Sequence, residues 1–339
     1  MVNSNKPLVS IITPSYNQVA YLKATMESVL NQDYPAIEYI VIDGNSTDGS
    51  QKIIESYADR LAWWVSEPDQ GQADAINKGF KRAKGDIIAW LNSDDMYLPW
   101  TIPEVVDTFN AYPQAGMIYG DAVSCDRDGR LLNELRFDTW NIKDLLQFNI
   151  ICQPAVFMKR SLLDKIGYLD TSYHFFLDHQ LWIRIARESE MIHQPRIWAV
   201  SRYHQEAKNV TMASSLVGTE VYRILDWAEK EPDLAEIVEK NHRKTWSGAY
   251  QIIARYLLDG GMPQQAFRLY FQSVKKWFPS LKDYWHRWLF SALDALGFGI
   301  LGKYYYDLKK TRPPRFLKDE DLSNWYGIQL TKTDQKLQK

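Results

Sequence analysis

The side chains that could do chemistry sit where apolar runs stop. Ile87-Ile88-Ala89-Trp90-Leu91 has the length of a buried strand and ends in Asn92-Ser93-Asp94-Asp95. Ligands of an open α/β sheet gather outside the carboxyl ends of its strands, and two carboxylates there can hold a divalent cation through hard oxygens. The same pair also reads as a helix cap, because Pro99 and Pro103 look like the opening of a helix. Asp43 follows a second apolar run and could equally be a turn-forming residue. Asp178 precedes Leu181, Trp182 and Ile185, the stripe of an amphipathic helix, where the helix dipole alone would favour an acid.

Periodicity supplies the elements that must position these acids. Leu8–Ile12, Ile37–Ile42, Leu61–Val65 and Asp86–Leu91 read as strands. Gln18–Asn31, Gln51–Ala58 and Ala73–Ala83 read as the helices between them. Strands alternating with helices predict a parallel, doubly wound sheet, and right-handed crossovers put every polar turn on one rim. Further strands are expected at Met117–Tyr119, Leu131–Phe137 and Ile197–Ser201. The common phosphate-binding signatures do not fit. Thr13-Pro14-Ser15-Tyr16-Asn17 carries no glycine for a dinucleotide fingerprint, and Gly-Lys-Ser/Thr is absent. A calcium loop starting at Asp43 would have Asp48 in place of its glycine and Ile54 in place of its bidentate Glu.

Four blocks in order resemble the family 2 glycosyltransferases. They are Val9-Ser10-Ile11-Ile12-Thr13-Pro14-Ser15-Tyr16-Asn17, then Tyr39-Ile40-Val41-Ile42-Asp43-Gly44-Asn45-Ser46-Thr47-Asp48-Gly49, then Ser66-Glu67-Pro68-Asp69-Gln70-Gly71-Gln72-Ala73-Asp74-Ala75-Ile76-Asn77-Lys78-Gly79, and last Leu91-Asn92-Ser93-Asp94-Asp95. The resemblance covers roughly residues 7 to 210. It implies a GT-A fold, Rossmann-like, with a mostly parallel central sheet flanked by helices. It also implies inverting transfer of a sugar, of hexosyl type, from a UDP- or GDP-linked donor to an acceptor hydroxyl in polysaccharide or glycolipid assembly. On this reading Asp95 binds Mn2+ or Mg2+ directly, with Asp94 on the ribose or supporting the metal. Asp43 accepts from the base, and Thr13, Pro14, Tyr16, Asn17, Gly71 and Asn77 line the nucleotide site. Asp178 is the general base, in a segment that has Leu177-Asp178 where many members carry Glu-Asp. Phe175, Phe176 and Trp182 form an apolar wall that would raise the pKa of that carboxyl. Gln153, Trp182 and His204 are expected near acceptor or diphosphate, and His204 near the metal, with Lys208 adding charge. His179 and His193 read as structural. A catalytically silent nucleotide-sugar-binding or membrane scaffold protein is the alternative.

Composition frames these expectations. The chain has 339 residues, 24% of them charged and 45% hydrophobic, the balance of a soluble globular protein long enough for two units. We expect a catalytic domain over 1–213 and a helical region, basic and aromatic-rich, over 214–339. Cys125 and Cys152 have no metal-type spacing, which argues against zinc and disulfides and for a reducing compartment. No signal peptide opens the sequence, and no apolar run reaches the roughly 18 residues of a membrane span. The net charge of −2 hides a surplus of ten in 241–318, where fourteen Lys and Arg meet four Asp. Trp277-Phe278, Trp285 and Trp288-Leu289-Phe290, edged by Lys275, Lys276, Lys282 and Arg287, suit packing of a helical hairpin. They also suit peripheral contact with an anionic membrane, which would place a cytoplasmic enzyme at the inner face of the cell membrane beside a glycan or lipid-linked acceptor. No recognised module supports nucleic acid as a partner.

Overall fold

The computed structural model describes residues 6–204 and 213–298, in two compact units. The first takes in 6–139 and 151–203, and the second 140–150, 204 and 213–298.

The first unit begins as a run of βα repeats. β1 (Val9–Ser15), α1 (Val19–Leu30), β2 (Ile37–Asp43), α2 (Ser50–Ser56), β3 (Trp63–Ser66), α3 (Gln72–Arg82) and β4 (Ile87–Trp90) follow one another. Their strands lie parallel in the order β3-β2-β1-β4. Because β2 joins one side of β1 and β4 the other, the order reverses at β1 and opens a crevice beyond its carboxyl end. Every residue of β1 and β4 is buried, as strands covered on both faces must be, and Val9, Ile11, Ala89 and Leu91 join one core with Leu22, Met26 and Val29 of α1. α3 comes unusually close to β1, since a Cβ added at Gly79 would lie 2.4 Å from Ile12 Cγ2 and 3.2 Å from its Cβ.

Beyond β4 the sheet becomes mixed. β5 (Met96–Tyr97), α4 (Thr101–Ala111), β6 (Met117–Cys125) and β7 (Leu131–Leu135) come next. The chain then enters the second unit for α5 (Ile142–Leu146) and returns for β8 (Val156–Lys159), α6 (Arg160–Ile166), α7 (Leu177–Glu188) and β9 (Met191–Arg202). The order continues β4-β8-β6-β9-β5, with β7 on β6. β9 starts six residues before the strand read from the sequence. Its pairing with β6 jumps from Gly120↔Gln194 to Asp121↔Ile197, so Pro195 and Arg196 bulge out of the ladder, the place in a sheet that tolerates proline. Gly120 is needed at that bulge, where a Cβ would lie 2.6 Å from the Trp198 ring and 2.7 Å from the Arg196 carbonyl.

The second unit is helical. To α5, held by an Asn141/Asp144 capping box, it adds α8 (Ala213–Lys230), α9 (Pro232–Lys240), α10 (His242–Asp259), α11 (Pro263–Lys276) and α12 (Leu281–Ala295). Gly260-Gly261 and Pro279 fall between helices, whereas Lys208 lies outside the described residues.

The Gly79 contact generates the first prediction. Gly79→Ala should overpack α3 on β1 and lower the unfolding free energy by about 1–3 kcal/mol. In urea this reads as a lower midpoint at unchanged slope.

Candidate functional site

The loops after β1 and β2 are one bonded structure. Asn17, at φ 52°, donates its N–H to Ser46 Oγ (2.8 Å) and accepts the Thr47 N–H at Oδ1 (2.9 Å). Asp48 accepts the Val19 N–H at 2.8 Å, so an acid from the second loop satisfies a donor at the start of α1. At their centre Asp43 is fully buried. Its carboxylate accepts from Ser46 N (2.9 Å), Ser46 Oγ (2.6 Å) and Ser66 Oγ (2.6 Å). These donors take three of the roughly four acceptor positions of a carboxylate, so Asp43 holds the loop. Thr13 is likewise buried, its hydroxyl bonded to the Tyr39 hydroxyl at 2.9 Å, so its side chain lines no opening. Pro14 is buried within β1. Tyr16, by contrast, is 62% exposed. Its ring and the Asp69 carboxylate both lie against Gly44, where an added Cβ would be 3.3 Å and 2.5 Å from them. Asp69, which sequence reasoning passed over, therefore shares the mouth of this loop pair with Tyr16. Gly71, at φ 109°, opens α3 two residues later.

The acidic turn after β4 is clamped from four elements. Arg202, the last residue of β9, donates its backbone N–H to Asp95 Oδ1 at 3.0 Å, and Asn92 Nδ2 approaches Oδ2 at 3.3 Å. Thr25 of α1 donates to the Asp95 carbonyl at 2.7 Å. Gln72 of α3 donates to Asn92 Oδ1 at 2.7 Å, and Asn92 Nδ2 also reaches Gln153 Oε1 at 3.1 Å. Gln153 closes the circuit by donating to the Trp90 carbonyl at 2.8 Å, so both ends of its amide are used to orient the turn. The Arg202 guanidinium bonds the carbonyls of Asp94 (3.1 Å) and Arg127 (2.9 Å) and lies 5.2 Å from the centre of the Tyr21 ring. Neither Asp94 nor Asp95 caps a helix, since α4 starts only at Thr101 with Trp100 at its N-cap.

Burial, and then the neighbouring Asp94 charge, push the Asp95 carboxyl well above the usual carboxylate range, against the pull of the Arg202 N–H and Asn92. A buried acid beside a second acid fits a divalent cation, whose charge would reverse that bias. Among the described residues no group of three or more His, Cys, Asp or Glu side chains converges as a metal site. An ion held by Asp94 and Asp95 would therefore complete its shell with water and substrate oxygens, as Mg2+ commonly does. His204 is buried and belongs to the second unit.

Asp178 is the second residue of α7, whose N-cap is Phe176, and is half-buried. A chain of contacts joins its helix to the acidic turn. Trp182, one turn further on, is fully buried and stacks on Trp90 with ring centres 5.4 Å apart. This corrects the expectation that Trp182 meets an acceptor or diphosphate: its ring is the floor on which α7 rests against β4. The Cys152 thiol, pushed up first by burial, is raised further by the charges of both Asp95 and Asp178. Asn77 is also reassigned, because its amide donates to the Leu169 carbonyl (2.8 Å) and accepts the Leu169 N–H (3.0 Å), pinning α3 to the turn after α6. Expected beside the nucleotide, it is a structural clamp.

Two predictions follow from this geometry. Asp43→Ala should leave a buried Ser46 N–H without its acceptor and cost about 1–3 kcal/mol in chemical denaturation. Asp95→Asn should keep the fold and the melting temperature of the metal-free protein, since asparagine can still accept from Arg202. It should lose most of the stabilisation by Mn2+ with a nucleoside diphosphate, which for the wild type is about 2.7 kcal/mol at a hundredfold excess over Kd. Melting scans with Mn2+ or with a chelator read the difference.

Comparison with known proteins agrees with the arrangement. Residues 10–167 match the model of "Glycosyl transferase family 2". An uncharacterized glycosyltransferase of Haemophilus influenzae is 34% identical over 184 residues, 51% of this chain and 72% of that one. One from Rickettsia typhi is 29% identical over 222 residues, 63% of this chain and 70% of that one, whereas for a Rickettsia bellii relative the match spans only 30% of its length. Among solved structures, Staphylococcus aureus TarS 1–349 in complex with UDP-GlcNAc superposes at a TM-score of 0.55, with 14% identity, over 98% of this chain and 92% of that one. The mannosyltransferase PcManGT of Pyrobaculum calidifontis, in complex with GDP-Man and Mn2+, also reaches 0.55, with 18% identity, over 89% and 88%. The clamped acidic turn, the switch-point crevice and these matches together place the chain in glycosyltransferase family 2, with a GT-A-like fold.

Proposed function

We propose that the chain is an inverting, metal-dependent hexosyltransferase that moves a sugar from a UDP- or GDP-linked donor to a hydroxyl of a glycan or lipid-linked acceptor. The observation that carries this reading is the packing of the helix that bears Asp178 on the strand that leads to Asp95: Trp182 of α7 stacks on Trp90, the last residue of β4, with ring centres 5.4 Å apart. The relatives' nucleotide-sugar complexes support the donor class. The catalytic domain is the first unit, 6–139 and 151–203 among the described residues, and the basic helical region is the second.

In the proposed step the acceptor hydroxyl gives its proton to the Asp178 carboxylate. Its oxygen bonds to the anomeric carbon from the face opposite the diphosphate, the carbon–oxygen bond to the diphosphate breaks, and the configuration inverts. A bound Mn2+ or Mg2+ would offset the charge that develops on the leaving diphosphate. Asp95, fixed by Arg202 and Asn92, and Asp94 beside it would hold that ion, with water and substrate oxygens completing its shell. Tyr16, Asn17 and Gly71 border the nucleotide, with the Tyr16 ring offering its face to the base. Gln153 serves by orienting Asn92 and the turn. The setting is polysaccharide or glycolipid assembly on the cytoplasmic side of the cell membrane. Among the described residues no helix is long and apolar enough to cross a membrane, so contact there would be peripheral, through the carboxy-terminal region.

A screen of nucleotide sugars for diphosphate release with Mn2+ or Mg2+ should find at least one donor. Asp178→Asn should then lose on the order of 10²–10⁴ in turnover while binding nucleotide and metal as the wild type does. Unchanged turnover would remove Asp178 from the mechanism. A chain that binds donors but transfers none would leave the scaffold reading in possession.

A further inference from the structure

Eleven large apolar side chains are exposed on the described residues, and six of them fall within 271–298. They are Phe271 on α11, Phe278 in the single turn before α12, Trp285 and Leu289 on α12, and Leu296 and Phe298 just past its end. Phe278 and Leu296 are each 72% exposed and Trp285 55%. Those on α12 are not scattered. Lys282, Trp285 and Leu289 are spaced by three and four residues, which puts them on one side of α12, and Leu296, seven further on, is its C-cap. The other side of α12 is committed to its own unit. Phe290 and Ser291 are buried, Trp288 meets Phe267 with ring centres 5.6 Å apart, and Arg287 pairs with Asp259 at 2.9 Å.

Charge distinguishes this face from an ordinary packing surface. Lys275, Lys276 and Lys282 border it and form no ion pair with another described residue. Between 271 and 298 the one carboxylate among the described side chains is Asp294, which is half-buried. The sequence continues in the same sense, with six Lys and Arg against one Asp in 299–318. Trp, Phe and Leu on one face with lysines along its edge are what an interfacial helix presents. The rings and branched chains enter the boundary between headgroups and acyl chains, while the ammonium groups stay at the level of the phosphates.

We infer that the Trp285–Leu289–Leu296 face of α12, with Phe278 at its start and Lys275, Lys276 and Lys282 at its edge, is the surface that lies on an anionic bilayer. The inference rests on the membrane contact proposed above and names the residues that make it. Flotation of the full chain should occur with vesicles of phosphatidylglycerol and phosphatidylcholine, weaken as salt is raised, and fall away on phosphatidylcholine alone. The combined variant Trp285→Glu, Leu289→Glu and Leu296→Glu should lower the floating fraction on the order of tenfold. The variant Lys275→Glu, Lys276→Glu and Lys282→Glu, confined to the edge, should abolish the preference for anionic lipid even if the first variant folds poorly by circular dichroism. Tyr112→Glu, an exposed aromatic change in the first unit, should float as the wild type does. Equal flotation of the wild type and both variants would overturn this face while leaving membrane contact standing. Absence of wild-type flotation would overturn both. A dimer that the apolar variant dissociates, without vesicle binding, would assign the face to a second copy of the chain and overturn the inference.

Discussion

A carboxylate taken out of water must be given donors, and the first unit is arranged around that requirement. Asp95 is only 5% exposed, and its oxygens meet the Arg202 backbone N–H and the Asn92 amide. Hydrogen bonds to a charged group are worth about 1.5–3 kcal/mol each, so the donors must be held rather than merely nearby. Holding them takes α1 through Thr25, α3 through Gln72, β4 through its Trp90 carbonyl and β9 through Arg202. A rigid acidic turn is the result, fixed from elements that the sequence spaces as much as 177 positions apart. Its remaining bias toward the neutral acid, set by burial and by Asp94, is the mark of a place where positive charge is welcome.

The same rule, carried to completion, explains why Asp43 and Asp95 differ. Asp43 is buried further still, but its three donors come from the loop that follows it, Ser46 twice, and from the end of β3, Ser66 once. Ser66 in turn accepts from Gln51 at 2.6 Å, which extends the network to α2. Such a carboxylate is a keystone for loop shape, with three of its roughly four acceptor positions taken by protein donors. What faces outward at this end is the Tyr16 ring and, beside Gly44, the Asp69 carboxylate, one of whose oxygens accepts the Gly71 N–H at 2.8 Å.

The alternation of strand and helix up to β4 was legible because β1, β4 and most of β2 are buried apolar runs, with β3 a half-buried one at the sheet edge, and the helices between them carry apolar stripes. The reversal of strand order at β1 then follows from that alternation only once pairing is known. Residue type and turn position located Asp94, Asp95 and Asp178, but could not separate a side chain that meets a ligand from one spent on its neighbours. Asn77, Gln153 and Thr13 lie in the right blocks, yet their polar atoms are used by Leu169, by Trp90 and Asn92, and by Tyr39. Those partners are tens of positions away, and no local pattern encodes them. Trp182 failed for a related reason: an aromatic one turn past an acid can face a ligand or a core, and only Trp90 on a distant strand decides. The clamp that Arg202 makes on the acidic turn was not legible, because half of it is a backbone N–H that any residue would own.

The division of the chain is also not a matter of composition alone. Composition places a boundary near 213, where the helical, basic region begins, but the second unit also owns 140–150. In that segment Leu145 and Leu146 are fully buried, and at Gly248 of α10 an added Cβ would lie 1.9 Å from the Gln147 carbonyl. α5 is therefore a built-in part of the helical unit, inserted between β7 and β8 of the other. Cutting the chain after residue 213 would leave Leu145 and Leu146 without the helices that cover them. Two exposed leucines forfeit about 1.5–3 kcal/mol each, a large share of the margin by which a domain of this size is stable. The loss would fall on the connection between β7 and β8, whose second strand is bonded to both β4 and β6. Through that strand the helical unit is covalently tied to the ladder that ends in the acidic turn.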